Sequence, residues 1–351
     1  MPVAVRGGGH HAAGFAIIEN GLVIDLSRMT EIQVDPATRV ARSAPGVRAG
    51  LLLRESQMAG LVLPTGTIST VGLAGLTLGG GEGWLTPKYG LTCDNLVSAE
   101  VAMAGGDLVR ASDTENPDLL WGLRGGGGNF GVVTSFQYRL HALSQVVAGT
   151  VAYSVAQARD VIRNWRDRMA DAPDELASMI GFVQTPDPTF FLRVSYAGSE
   201  ATAQSVLDPL RSYGLPSEDA VGRMSILALH TMDDAGARPG SSNYWRSHYL
   251  RELPDEAIGT FIEYCSRATS SETAAWLIHF HGAFSRVPPT ATAYPHRDAA
   301  YTFGISAKWP ASAEGDQHVG WAREFWAAMA PYSTGGIYSN WSSDMDRDSS
   351  G

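Results

Sequence analysis

Glycine constrains this chain more than any other residue. Triplets at Gly7 to Gly9 and Gly79 to Gly81 and a quartet at Gly125 to Gly128 crowd the first part of the sequence. A glycine run lets backbone approach a ligand closely, and successive free N–H groups form nests suited to a pyrophosphate. Such a run can also be no more than a tight turn, so the flanking segments decide. VAVRG, GLVIDLS, TRVARSAPG and the alternating VVTSFQYRL read as strands beside the runs. Three glycine clusters next to apolar strands point to a nucleotide-type ligand.

The common nucleotide motifs fail on context. Gly126, Gly128 and Gly131 spell G-x-G-x-x-G, a fingerprint that needs a strand before it and a helix after it. Here the order is inverted. A helical PDLLWGL, with Asn116 as cap and Pro117 in the first turn, precedes the glycines, and a strand follows. That order argues against a nicotinamide dinucleotide site. No G-x-x-x-x-G-K-[ST] loop and no G-x-S-x-G nucleophile elbow occurs.

At 351 residues, 44% hydrophobic and 18% charged, the chain is too apolar for disorder and long enough for two domains. A net charge of −10 argues against a nucleic-acid or anionic-membrane surface. Cys93 and Cys265, the only cysteines, make neither a disulfide framework nor metal-ligand spacing. The first residues lack a charged-then-apolar leader, and no stretch reaches the roughly 20 apolar residues of a membrane span. A cytoplasmic protein is the simplest expectation, on the assumption of an unprocessed start.

From about residue 146 the pattern lengthens. VVAGTVAYS reads as a strand, and Ser154 then caps a helix with Val155, Ala158, Ile162, Trp165 and Met169 on one face. ASMIGFVQT and TFFLRVSYAG are strands around a turn at Pro186-Asp187-Pro188, followed by a helix over about 199–212. This β-α-β-β-α order suits an antiparallel sheet with helices on one face. TAAWLIHFHGAF and AYTFGISAKW extend the sheet, and VGWAREFWAAMAPY adds a helix. Trp276, Trp321, Phe325 and Trp326 sit at core spacing, with one or two left as candidates to line a sugar site. His279 and His281 share a strand face; without a third ligand, packing or substrate contact is the better reading than a metal.

At VAVRGGGHHAAG and PTGTISTVGLAGLTLGGGEGWLTPKYGLTCDN the chain resembles the flavin-linked oxidases related to berberine bridge enzyme, within the vanillyl-alcohol-oxidase-type FAD fold. The resemblance continues through WGLRGGGGNFGVVTSFQYRL, ATAYPHRDAAY and TGGIYSN. It implies an α+β protein. An FAD-binding domain is expected over 1–145 and a substrate domain, a large antiparallel sheet backed by helices, over 146–330. Residues 331–351 would begin a return to the FAD domain.

The resemblance also implies the site. FAD would lie against Arg6, Gly7, Gly8, Gly9, His11, Gly66 and Val71, and against Gly72, Gly75, Gly80, Gly81, Gly83 and Val133. Two covalent bonds would hold it, from His10 to the 8α carbon and from Cys93 to C6. Neutral imidazole and thiolate are both nucleophiles, which suits that pairing. Adjacent side chains on an extended run point to opposite faces, and His10 is preferred over His11 because it directly follows the triplet. No metal is expected. The implied reaction oxidises a hydroxyl-bearing small molecule (a sugar, an oligosaccharide or a secondary metabolite) by hydride transfer to flavin, with molecular oxygen as acceptor. Tyr338 of GGIYSN, beside Asn340, is the expected base, and Tyr294 of AYPHR is the second candidate. Trp341 stands where many relatives carry a second tyrosine. Relatives also extend further at both ends, so uncovered sheet edges and poor folding are expected, and a non-catalytic flavin-binding remnant is the alternative function.

Overall fold

A computed structural model of the chain describes residues 1–184, 188–237 and 239–344. Of the expected turn, Pro186 and Asp187 lie outside the described residues. The chain folds as two compact units, each built from separated stretches. The first comprises Met1–Gln145, Ser225–Ala237 and Arg286–Arg297, and the second comprises Val146–Met224 with the stretches between and after those insertions. An uninterrupted second domain over 146–330 is thus replaced by one that yields two short pieces to the first unit. The described residues 298–344, which include the described part of the expected return segment, group with the second unit. The first of these pieces buries Ile226 and Leu229 and the second buries Tyr294.

The first unit opens with a parallel ribbon, β1 (Val3–Arg6) beside β2 (Leu22–Asp25), in which Val3 faces Leu22 and Val5 faces Ile24. Val3, Val5 and Leu22 are exposed. β3 (Ile32–Asp35), β4 (Val40–Ser43), β5 (Leu96–Ala102), β6 (Leu108–Ser112) and β7 (Val132–Arg139) form an antiparallel sheet in the order β3-β4-β7-β5-β6. Helix α1 (Ala49–Gln57) buries Ala49, Leu52, Leu53 and Ser56, the helical spacing of one face. Helix α2 (Leu73–Leu78) follows a long loop. Leu52, Leu73, Leu96, Val101 and Phe136 share the core of this unit.

Helix α3 (Pro117–Leu123) precedes the Gly125 to Gly128 quartet and β7 follows it, the inverted order that argues against a dinucleotide fingerprint. Asn116 differs from its expected role. It adopts a left-handed φ of 50°, and its amide donates to the Arg110 carbonyl (2.7 Å) instead of capping α3.

The second unit is organised by one eight-stranded sheet. Its strands are β8 (Gln145–Ser154), β9 (Leu176–Val183), β10 (Thr189–Tyr196), β11 (Ser241–Leu250), β12 (Ala274–His279) and β13 (Tyr301–Pro310), with two short ones, Glu218–Asp219 and Gly222–Ser225, on β8. The long strands run in the order β8-β10-β9-β12-β13-β11, each antiparallel to its neighbour. Helices α4 (Ala158–Met169), α5 (Glu200–Arg211), α6 (Asp255–Ser266) and α7 (Asp316–Met329) complete the unit. Val161, Ile162, Trp165 and Met169 of α4 join Phe261 of α6 and Phe325 of α7 in its core. Ser154 does not cap α4: a 3-10 turn, Val155–Gln157, intervenes, and Ser154 Oγ accepts from the Gln157 side chain (3.3 Å).

Candidate functional site

Two glycine loops of the first unit meet backbone to backbone. Gly8, after β1, and Gly72, before α2, lie so close that neither position leaves room for a Cβ. Just beyond, Gly9 takes a left-handed φ of 64° and the chain presents His10, which is exposed. The imidazole Nε2 lies 3.4 Å from Thr70 Oγ1. Partial loss of water around the ring lowers the His10 pKa; the Arg48 charge acts in the same direction and Asp234 in the opposite one. The ring is neutral at neutral pH, the form in which a nitrogen lone pair is free to attack.

The loop that carries Thr70 is fastened from three sides. The Ser69 N–H donates to Asp234 Oδ1 (3.0 Å) and its hydroxyl donates to Oδ2 (2.5 Å). The Ser69 carbonyl accepts from Gly50 N–H (2.8 Å), and the Val71 carbonyl accepts from Ala49 N–H (2.9 Å). Behind Asp234, His230 is fully buried on the short helix Ile226–Thr231 and donates from Nδ1 to the Ile226 carbonyl (2.9 Å). Burial pushes its pKa down to about 4, so it is uncharged. No sequence motif marks Asp234 or His230; they lie 160 or more positions from the loop they hold, in a stretch with no glycine signature.

The other expected contacts scatter. Arg6 pairs with Asp25 across the ribbon (3.4 Å), and His11 Nδ1 accepts from Ala13 N–H (3.1 Å) while its ring packs on Phe15. Gly7 is backed by the Pro45 carbonyl and Gly66 by Leu76, whereas Gly75 faces open space. Gly83 sits tightly against Thr65, and Val133 is buried in the core of the first unit.

Cys93 lies in a different environment from His10. Its backbone N–H donates to the Gly80 carbonyl (2.9 Å), and that of Thr92 donates to Gly81 (3.0 Å). The side chain has no exposed surface, and its thiol points to Asp94 Oδ1 at 3.7 Å. Burial first, and then the Asp94 charge, pushes the thiol well above its ordinary value. This is a protonated thiol, not the thiolate that attack on a flavin requires. Asp94 in turn holds Arg297 by two bonds (2.9 and 2.6 Å), and Arg297 lies over the Tyr294 ring at 4.9 Å. Tyr294 is buried and donates its hydroxyl to Glu82 Oε1 (3.0 Å). This bond joins Tyr294 to the same buried polar group as Asp94 and Arg297. Glu82, buried at 3% exposure, was hidden inside the second glycine motif.

In the second unit Tyr338 is buried, accepts at Oη from Asn340 Nδ2 (3.0 Å) and is fixed through its N–H to Ser247 Oγ (3.0 Å). Trp341 meets its ring edge-on at 4.9 Å. His279 and His281 do come together, Nδ1 to Nδ1 at 3.1 Å, and His281 Nε2–H donates to the Pro173 carbonyl (3.1 Å). Burial pushes His279 down to about 3. Among the described residues no group of three or more His, Cys, Asp or Glu is arranged to hold a metal. Trp276, Trp321 and Phe325 are buried, and Trp326 carries the Arg246 guanidinium over its ring at 3.9 Å.

The two glycine loops that touch at Gly8 and Gly72 give the close backbone approach that an FAD fits, with His10 exposed beside them. The FAD binding domain family matches residues 1–112. With the large antiparallel sheet, this defines a flavoprotein of the vanillyl-alcohol-oxidase fold. YgaK of Bacillus subtilis strain 168, described as an uncharacterized FAD-linked oxidoreductase, is 33% identical over 348 residues, covering 97% of this chain and 77% of its own length. The chain belongs to the berberine bridge enzyme-like family of FAD-linked oxidoreductases. The crystal structure of 6-hydroxy-D-nicotine oxidase from Arthrobacter nicotinovorans superposes with a TM-score of 0.86 at 28% identity, covering 99% of this chain and 79% of that one. A xylooligosaccharide oxidase of Thermothelomyces thermophilus is 30% identical over 322 residues, 84% of this chain and 63% of its own. Among the described residues no helix is long and apolar enough to cross a membrane.

Proposed function

We propose that the protein is an FAD-dependent oxidase that removes a hydride from a hydroxyl-bearing substrate, with molecular oxygen as acceptor and FAD attached through His10. The observation that carries this is the neutral, exposed His10 at the Gly8–Gly72 junction. Relatives named for oxidation of a hydroxylated nicotine and of an oligosaccharide support a small, polar substrate. The flavin would supply the hydride acceptor. Tyr338 would take the substrate proton, and the Asn340 amide bond to its oxygen would stabilise the phenolate.

A single tether is the better reading of this chain. A second bond to Cys93 follows from the motif resemblance but runs against a thiol that is fully buried and protonated. The test is a visible spectrum before and after acid precipitation, followed by mass measurement of the proteolytic peptides. Yellow precipitate with flavin mass on the His10 peptide alone is expected. A colourless precipitate, or flavin on the Cys93 peptide, would overturn the tether assignment. Hydrogen peroxide release across a panel of oligosaccharides and hydroxylated nitrogen heterocycles tests the reaction; flavin bound with no peroxide from any of them would favour the non-catalytic alternative.

A further inference from the structure

Attachment of FAD to His10 requires more than the histidine itself, and the transferred stretch Ser225–Ala237 places two charged or polar groups behind it. Asp234 grips Ser69 by both its N–H and its hydroxyl, and the next residue, Thr70, is the one that meets the His10 ring. On the same loop, the Ser69 N–H also reaches the His230 carbonyl (3.0 Å), so the turn is fixed by side chain and backbone together. We propose that Asp234 is a positioning residue for covalent attachment of flavin at His10, holding the Ser69–Thr70 turn against the imidazole and supplying the negative charge that stabilises the ring as it becomes alkylated. This inference rests on the His10 tether proposed above.

One nitrogen–carbon bond forms between the imidazole and the flavin's 8α carbon, while one C–H bond of that carbon and one N–H bond of the imidazole break. Both hydrogens leave as protons, and two electrons enter the flavin. Molecular oxygen accepts the two electrons with two protons and leaves as hydrogen peroxide. Because a neutral ring attacks through its lone pair, it carries positive charge until its own proton departs. A nearby carboxylate favours that charged ring and a nearby guanidinium opposes it. Both signs are present: the field of Asp234 raises the basicity of His10 and that of Arg48 lowers it. Arg48 is exposed at the start of α1, its backbone bridging Gly72 and its side chain making no cap bond to the helix.

The two charges give predictions of opposite sign. The full chain, produced under riboflavin limitation and then supplied with FAD, is sampled over time for flavin that survives acid precipitation. Asp234→Asn should slow attachment about tenfold, and Arg48→Gln should accelerate it a few-fold, the scale of one modest charge interaction. Asp234→Glu, which keeps the charge, should restore most of the rate. Non-covalent FAD affinity, read by fluorescence quenching in the His10→Ala background, should change less than about twofold with Asp234→Asn; a purely structural role would move it strongly. Wild-type rates in both charge variants would overturn the inference while leaving the tether intact. An Asp234→Asn chain that does not fold leaves Arg48→Gln to decide, and an unchanged or slower rate there overturns it. No flavin on His10 in the unaltered protein removes both readings.

Discussion

Cys93 and His10 show how two residues in equally suggestive motifs separate once their surroundings are known. Both stand beside glycine runs, and both side chains can attack an oxidised flavin. His10 is exposed and neutral, whereas Cys93 is sealed beside the Asp94–Arg297 pair with its proton held. Cys93→Ser should therefore leave the acid-stable flavin content unchanged, whereas His10→Ala should abolish it; loss of flavin from the serine variant would reverse this assignment. Tyr338→Phe should lower kcat by about 10²–10⁴, the usual contribution of a positioned proton acceptor, with flavin content unaffected. A steady-state assay on the flavin-loaded variant checks it, and an unimpaired kcat would remove Tyr338 from that role. His10 and Tyr338 stand out in the sequence because a motif and a reactive side chain coincide there. Asp234, His230 and Glu82 do not, because a carboxylate or imidazole acquires its meaning from a partner far along the chain.

At the scale of elements, legibility followed periodicity. Ala158, Ile162, Trp165 and Met169 recur at helical spacing and α4 buries all four, while Val155 falls in the preceding 3-10 turn. Trp165 has no exposed surface, and its indole N–H donates to Ser178 Oγ of β9 (2.9 Å). Trp165→Ala should cost about 3–5 kcal/mol, since a large cavity opens and the Ser178 hydroxyl loses a donor. Urea denaturation of the two proteins measures the difference, and a loss under about 1 kcal/mol would mean the core closes over the gap. β11 escaped notice for the converse reason. Its SSNYWRSHYL buries Arg246 and His248 among aromatic residues, so burial there does not track hydrophobicity. Arg246 pairs with Asp344 (3.0 Å), and His248 donates from Nε2 to the Trp326 carbonyl (3.0 Å).

Across the whole molecule, buried histidines set the response to acid. Burial pushes His230 and His248 down to about 4 and His279 to about 3, while the unfolded chain titrates near the ordinary value of 6.5. Below that value the unfolded state binds more protons than the folded one. The stability these neutral rings contribute is complete above pH 6.5 and drains away as pH falls towards 4, by as much as roughly 3 kcal/mol for one such residue. The urea midpoint should fall steadily between pH 7 and 4.5, and His248→Phe should flatten that fall; a level midpoint over this range would count against the prediction. The threading of the chain has a consequence in time. Arg297 pairs with Asp94 from 203 positions away, and the first unit is closed by residues 286–297. At a translation rate of about 5–20 residues per second, Asp94 leaves the ribosome roughly 10–40 s before its partner. During that interval the nascent first unit carries the Asp94 carboxylate without its guanidinium. The nascent chain therefore has a waiting state in which the carboxylate beside Cys93 lacks its counter-charge, and which ends only when Arg297 has been made.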